Sequence, residues 1–346
     1  MNTEKKNLRY LSQDEILKWF AGAGEQKFRA NQVWEWLWKK GAQQIDDMSN
    51  LSKALRDKLK EEFVITSLKT DKIQTSSDGT IKMRFKTFDG YAVEGVLIVT
   101  STRMTACVSS QIGCSLSCKF CATGTMDRKR NLQFDEIFDQ VVLLNRIAEK
   151  TYQRTLSNIV FMGMGEPLLN YGNVVTAIDK ISAPDGLAMS PRRITVSTAG
   201  IAKMIQKMGE DKVRFRIALS LHATTDEKRN RIMAINETNN LDVLIDSLNY
   251  FYEQTDNRIS LEYILLKDVN DSLDDAKELV KIARRVPCRV NLIEYNAVKG
   301  LPFEKTDDKK AKLFEDYLIK QNVPSSIRHS RGIDIDAACG QLANKG

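Results

Sequence analysis

The chain contains no run of about 18 apolar residues, so no segment can cross a membrane as a helix. Its opening, MNTEKKNLRY, lacks the apolar stretch of a secretory signal, and the expectation is a cytoplasmic protein with no membrane partner. Cysteine is scarce: six residues in a chain of 346 make a poor disulfide framework for a cytosolic protein, and metal or redox chemistry is the better reading of them. No internal repeat, low-complexity tract or long linker interrupts the sequence. What is present is ordinary for a soluble globular enzyme, 42% hydrophobic and 28% charged, which excludes a disordered chain. Lys and Arg exceed Asp and Glu by 52 to 45, a net charge of +7 that permits a nucleic-acid partner without requiring one.

Residues 1–65 read as a helical domain. Ser12 and Glu15 have capping-box spacing, Leu11 and Ile16 the spacing of a hydrophobic staple, and Gly22 and Gly24 end that helix. A second helix runs from about Phe28 to Lys40 and stops at Gly41. All four tryptophans, Trp19, Trp34, Trp36 and Trp38, lie here; their spacing favours packing over stacking on nucleobases. Residues 66–104 change to strands, with TIKMRFKTF and YAVEGVLIV flanking the hairpin signal Asp89-Gly90. Across residues 105–346 short β-branched runs, starting near Ala106, Ile159, Ile194, Phe215, Ile259 and Val290, alternate with helical stretches. One of these, Phe134–Glu149, aligns Ile137, Val141, Leu144 and Ala148 in a single stripe. Such alternation implies parallel βαβ units in an open sheet or partial barrel, with a last strand near Ser326–Arg328.

The most informative segment is Cys114-Ser-Leu-Ser-Cys118-Lys-Phe-Cys121, on the loop after the first strand of the series. Thiolates at this spacing can wrap one soft metal centre. Zinc favours a closed set of four ligands, and no second Cys pair completes one here. A [4Fe–4S] cluster held by three thiolates keeps one iron open, as catalysis needs. A zinc site and inert buried thiols remain the alternatives.

Cys-x3-Cys-x-Phe-Cys after the first strand of a βα series resembles the radical S-adenosylmethionine (SAM) superfamily. CVSSQIGCSLSCKFCATG, MGMGEPLLN, RRITVSTAGI, ALSLH, LIEYN and GIDIDAACGQL narrow the resemblance to the methyltransferases that modify adenine C2 in 23S rRNA and tRNA. The likeness extends from the helical region to the end of the chain. It implies an α/β fold, the partial (β/α)6 TIM-like barrel of radical SAM enzymes, with a small N-terminal helical domain and a short antiparallel hairpin extension.

By the same resemblance Cys114, Cys118 and Cys121 hold a [4Fe–4S] cluster whose open iron binds SAM. Gly165 and Glu166 match the strand end that takes the SAM amino group, and Ser197, Ser220, Leu221, His222 and Asn296 match the remaining SAM contacts. Taken alone, Gly163-x-Gly165 would be a weak nucleotide signal and His222 as much a structural as a binding residue. Cys339 matches the cysteine that becomes S-methylated, Cys107 the thiol that resolves the covalent intermediate, and Glu94 the proposed proton acceptor; whether Glu94 or Cys107 takes the C2 proton stays open. Cys288 matches nothing and reads as core.

The implied chemistry uses two SAM molecules, because adenine C2 is too electron-poor to attack a sulfonium methyl directly. One methylates Cys339; the other supplies a 5′-deoxyadenosyl radical that activates the S-methyl group for addition to C2. Cys107 then attacks the Cys339 sulfur, releasing methylated RNA and leaving a disulfide to be reduced. The expected partners are 23S rRNA, at its peptidyl transferase centre, tRNA, and an electron donor such as flavodoxin or ferredoxin, with the enzyme a monomer. Phosphate contacts are expected from Arg128-Lys129-Arg130, Arg192-Arg193, Arg328 and Arg331. The sister family that methylates adenine C8 and confers antibiotic resistance shares every one of these cysteines, but usually has alanine where this chain has Pro167. Ala234 and Val99 stand where the C2 family often has proline, which bears on local rigidity. A non-enzymatic alternative, an Fe–S protein that binds RNA and senses redox state, would not need the Cys107 and Cys339 pair.

Overall fold

In the computed structural model, which describes residues 5–344, the N-terminal region is built from three helices. The first four and last two residues, at the ends of the first and third expected domains, lie outside the described part. Helix α1 (Gln13–Gly22) starts with the expected capping box: Ser12 Oγ accepts the Glu15 N–H at 3.2 Å and Glu15 accepts the Ser12 N–H at 2.7 Å. Such a cap contributes about 1 kcal/mol. It buries Ile16 and Phe20 and is followed by α2 (Lys27–Trp38) and α3 (Lys53–Glu62).

The tryptophans do pack. Trp34 and Trp38 meet edge to face at 5.9 Å, and Trp38 meets Phe138 of helix α4 (Phe134–Tyr152) at 5.2 Å. Lys180 lies over both indoles, and Trp34 Nε1 donates to Asp185 at 2.7 Å. Arg9 runs underneath, fully buried, and pairs with Asp139 of α4 at 2.8 Å. The helical region is thus bolted to the rest of the molecule by aromatic and ionic contacts to α4 and by Lys180 and Asp185.

A single ten-stranded sheet follows, with strands in sequential order from edge to edge. Strands β1 (Lys69–Thr75), β2 (Ile81–Lys86), β3 (Ala92–Val99) and β4 (Met104–Cys107) pair antiparallel. From β4 onward the pairing is parallel, through β5 (Asn158–Phe161), β6 (Ile194–Thr198), β7 (Arg216–Ser220), β8 (Ile259–Leu265), β9 (Cys288–Glu294) and β10 (Ser325–Arg328). The six expected strands are joined by the last one as a seventh. The antiparallel strands are a continuation of the same sheet across the β3–β4 edge. Crossovers are helical: α4, α5 (Tyr171–Ser182), α6 (Ala202–Glu210), α7 (Asp226–Ile232) with α8 (Leu241–Thr255), α9 (Leu273–Arg284) and α10 (Asp308–Lys320). The stripe on α4 is buried as its period requires, with Ile137, Val141, Leu144 and Ala148 all at or near zero exposure. Among the described residues no helix is long and apolar enough to cross a membrane.

The segment after β10 returns to the antiparallel strands. Asp334 accepts from Ser76 Oγ at 2.5 Å and from the Ser77 N–H at 3.0 Å, and the Gly332 N–H donates to Asp78 at 2.9 Å. This strap carries Cys339 across the open ends of the parallel strands.

Candidate active site

The cysteine loop leaves β4 and is closed by a short antiparallel pair, Gln111–Ile112 against Arg130–Asn131. Two glycines set its path. Gly113 has φ +76°, and a Cβ there would lie 2.1 Å from Asp127 O; one at Gly124 would lie 2.6 Å from Cys118 O. The loop so folded brings Cys114, Cys118 and Cys121 to one cavity at the C-terminal ends of the parallel strands. Burial pushes the Cys114 thiol up to about 11 and raises Cys118 and Cys121 as well. At neutral pH these thiols hold their protons, and only a bound positive charge would make them thiolates.

Among the described residues no three His, Cys, Asp or Glu side chains are gathered as a single-ion site. Three thiols around a shared cavity suit a cluster whose separate iron corners each take one ligand, and they do not suit a four-ligand zinc site. The donor set therefore fits the expected group.

The facing wall comes from the strand ends. Gly165, at φ +91°, packs so closely on Gln111 that a Cβ would fall 2.4 Å from that side chain's Cβ. Glu166 follows, buried, accepting the Leu168 N–H at 3.0 Å and the Ala199 N–H at 2.8 Å; burial raises its carboxyl. Pro167 opens the turn after it. Ser197 and Ser220 lie side by side, Oγ to Oγ 3.5 Å, on β6 and β7. His222 has a left-handed backbone, φ 59°, and its Nδ1 accepts the Ile264 N–H at 3.0 Å. Burial, helped by the Arg229 charge, lowers it to about 3, so the ring is neutral with its proton on Nε2. Gly165, Glu166, Ser197, Ser220 and His222 all line the cavity.

Two of the expected SAM contacts stand differently. Leu221 is outside the cavity lining: its side chain belongs to the apolar core, and its backbone N–H donates to Glu262 O at 2.9 Å. Asn296, just after β9, is also off the lining; its Nδ2 donates to Cys339 O at 3.3 Å, so here it touches the strap.

Cys339 lines the cavity beside Gly340, and the residues after it are held to the cysteine loop. The Ala122 N–H donates to Gly340 O at 2.7 Å, and Thr123 Oγ1 donates to Leu342 O at 2.6 Å. Cys339 is exposed as a residue, yet the protein mass around its sulfur raises the thiol, with Arg328 opposing and Glu262 and Cys121 assisting. Cys107 lies behind the wall at the end of β4, buried, pushed up to about 12 first by burial and then by the neighbouring Cys339 charge. Both are free thiols close enough to feel each other.

Glu94 is on β3, diagonal to Cys107 in the Val96–Cys107 register and therefore on the same sheet face. Its carboxylate is buried against Lys82 Nζ at 3.5 Å and accepts the Ala343 and Asn344 N–H groups, each at 3.0 Å. It is not part of the cavity lining in this conformation. Cys288 is half-buried against the core, its Sγ 3.7 Å from Ala283 O.

Two buried charges escape a sequence reading. Glu262 is signalled only by a lone acid in the apolar strand ISLEYIL; it lines the cavity, holds Asn291 Nδ2 at 2.7 Å, and has its second oxygen unpartnered. Arg229 looks like a solvated charge in DEKRNRI but is fully buried behind the wall. Among the basic groups, Arg130 is committed to ion pairs with Asp89 at 2.6 Å and Glu136 at 2.7 Å, whereas Arg192, Arg193 and Arg331 are exposed.

Comparison with known proteins agrees with this geometry. Residues 6–65 match the ribosomal RNA large subunit methyltransferase N-terminal domain, and residues 108–293 match the radical SAM superfamily. A "Probable dual-specificity RNA methyltransferase RlmN" of Cytophaga hutchinsonii is 55% identical over 99% of this chain and 94% of its own length. The dual-specificity RNA methyltransferase RlmN of Nitratidesulfovibrio vulgaris is 44% identical over 96% of this chain and 92% of its own. The crystal structure of a radical SAM methyltransferase from Sphaerobacter thermophilus superimposes with a TM-score of 0.92 at 37% identity, covering 97% of this chain and 99% of that one. The chain belongs to the RlmN family of radical SAM dual-specificity RNA methyltransferases.

Proposed function

We propose that this radical SAM RNA methyltransferase transfers a methyl group to C2 of adenine in 23S rRNA and in tRNA, within the cytoplasm, through an S-methylated Cys339. The observation that carries the reading is Cys339 on the same cavity wall as Cys114, Cys118 and Cys121, with the second free thiol, Cys107, directly behind. A sensor needs the three loop cysteines; only a sulfur-relayed transfer has use for the other two.

Cys114, Cys118 and Cys121 would hold a [4Fe–4S] cluster with one iron left for SAM, and when bound this pair supplies the radical chemistry that an unreactive carbon requires. Gly165 and Glu166 would seat the SAM amino group, and Ser197, Ser220 and the neutral His222 would donate or accept along its nucleoside. Leu221 and Asn296 support that wall and the strap. Cys339 presents the methyl carbon to the base, which must leave its stack to reach the cavity. Release follows when the Cys107 thiolate attacks the Cys339 sulfur: the sulfur–sulfur bond forms, the carbon–sulfur bond breaks with its electron pair going to the methylene carbon, and that carbon takes up a proton to become the C2 methyl group. Because burial holds Cys107 in its thiol form, proton removal at that site is part of the step, and Glu94, diagonal to it on the same sheet face, would accept that proton. Residues 1–65 would act as an RNA-contacting domain, residues 66–104 as the strap's anchor, and residues 105–346 as the catalytic core, with Arg192, Arg193 and Arg331 available to phosphates, Arg328 paired with Glu262 at 3.6 Å, and a flavodoxin or ferredoxin as electron donor.

The test is anaerobic reconstitution with iron, sulfide, SAM and reductant, followed by nucleoside mass spectrometry of added rRNA and tRNA. The expected product is 2-methyladenosine in both. Formation of 8-methyladenosine would assign the chain to the sister chemistry, against which Pro167 argues, and absence of 5′-deoxyadenosine would leave a non-enzymatic Fe–S protein.

A further inference from the structure

Two arginines in this chain rank among its largest fully buried side chains, Arg9 and Arg229. They are solved differently. Arg9 has its counter-charge in contact, Asp139 at 2.8 Å. Arg229 has none among the described residues: its four hydrogen bonds run to neutral acceptors, Leu221 O at 3.0 Å, Ala199 O at 2.6 Å, Ser220 O at 3.1 Å and Asn236 Oδ1 at 2.8 Å. Asp226 is the one acid felt from the same segment, and it is solvent-exposed with an oxygen already shared between Asn236 Nδ2 and the Leu241 N–H. A guanidinium taken out of water without a paired anion is strongly disfavoured, so the site requires negative charge from elsewhere.

The surroundings say where that charge enters. Arg229 bonds the carbonyls of Ala199 and Ser220, both of which line the cavity with the three loop cysteines. The cysteine loop is pinned to the same helix end, since the Lys119 N–H, one residue after Cys118, donates to Ile232 O at 3.0 Å. Cys118 and Arg229 are close enough that each favours the other's charged form.

We infer that Arg229 is the fixed counter-charge of the iron–sulfur site and biases its cluster toward the reduced, more negative state. The inference rests on the cluster reading above and adds a positioning residue to it. One electron arriving from the donor makes the cluster one charge more negative, and a buried cation behind one ligand stabilises that product more than the oxidised form. The hydrogen bonds to strand-end carbonyls hold the cation in place, so no reorganisation accompanies the electron.

The experiment is an EPR-monitored redox titration of the reconstituted full-length holoprotein, with Arg229→Met, Arg229→Lys and Asn236→Asp. Arg229→Met removes the charge; at a fixed solution potential its reduced-to-oxidised ratio should fall about tenfold, equivalent to about 59 mV for one electron. Arg229→Lys keeps the charge and should stay near wild type. Asn236→Asp retains the arginine but puts a carboxylate at its 2.8 Å contact, and should shift in the same direction as Arg229→Met. That variant decides the matter if Arg229→Met does not fold. Equal shifts for Met and Lys, or no shift for Met or for Asn236→Asp, would overturn the inference. Iron and sulfide analysis of the wild type separates this from failure of the cluster reading: a wild-type chain that takes up no cluster removes both, whereas a loaded one with an unmoved potential removes only this one.

Discussion

Glu94 and Asn344 are hydrogen-bonded across almost the whole sequence: the buried Glu94 carboxylate accepts the Asn344 backbone N–H at 3.0 Å, and the same oxygen takes the Ala343 N–H at an equal distance. Asn344 Nδ2 returns the connection to Ala92 O at 2.7 Å. The strand that carries the expected proton acceptor is therefore also the anchor of the strap that carries Cys339.

Glu94→Ala should release that anchor. Hydrogen exchange at Ala343 and Asn344 should accelerate, and the segment after Arg331 should become more sensitive to protease. Iron content should be unchanged, because the cysteine loop is held by its own glycines and by the Lys119 N–H bond to Ile232 O, neither of which belongs to the strap. Unaltered exchange would show that the Asp334 and Gly332 bonds to Ser76, Ser77 and Asp78 are sufficient to hold the strap.

Each of Cys114→Ala, Cys118→Ala and Cys121→Ala should abolish cluster assembly, measured as iron per chain after anaerobic reconstitution. Three thiolates are the smallest set that leaves an iron open, and no other Cys or His completes a tight metal group among the described residues. Retention of about four irons by any one variant would remove that residue from the ligand set.

The junction between the helical region and α4 should titrate. Asp135 is raised from 3.8 to about 6, chiefly by burial, with the Asp139 and Glu136 charges adding and Arg9 and Asn7 opposing. The folded state thus binds this proton more tightly than the unfolded chain does. Its stabilisation is complete below about pH 4 and is lost as pH rises through about 6. Asp135→Asn keeps the group neutral at every pH. The melting temperature of the variant relative to wild type should therefore climb between pH 4 and 7 and stay level below pH 4. A gap independent of pH would contradict the raised carboxyl.

Much of this architecture was readable because local and global signals coincide. Ser12 and Glu15 make their box, the α4 stripe is buried, and the strand starts near Ile159, Ile194 and Ile259 fall within one residue of the observed ones, since a β-branched run bounded by turn residues has few alternatives. The cysteine loop was equally plain from spacing. What stayed hidden depends on contacts between distant segments. Strand β1, Lys69–Thr75, is almost wholly exposed and has no apolar alternation to announce it; pairing with β2 makes it a strand. Arg130 sits among basic neighbours that suggest phosphate, but Asp89 and Glu136 claim it. Arg229 and Glu262 look like surface charges in a linear reading, and only the fold turns them inward.

Two of the thiols outside the cysteine loop, Cys339 and Cys107, should fail in different ways. Cys339 borders the cavity, whereas Cys107 is buried at the end of β4. Cys339→Ala removes the relay atom, so neither product nor RNA adduct should form. Cys107→Ala leaves the relay intact but deletes the nucleophile that would break the carbon–sulfur bond, and RNA should stay attached to Cys339 through that carbon. Denaturing gels of each variant expressed in cells, with and without nuclease, read the difference. A slow, nuclease-sensitive band should appear for Cys107→Ala and disappear in the Cys107→Ala/Cys339→Ala pair. Burial pushes the Cys107 thiol up to about 12, so it is a poor free nucleophile at neutral pH. Resolution in the wild type should then be the pH-sensitive step, with less trapped RNA as pH rises, whereas the Cys107→Ala adduct should persist at every pH. Methylation by Cys339→Ala, or absence of trapped RNA in Cys107→Ala, would mean that this chain does not relay its methyl group through sulfur.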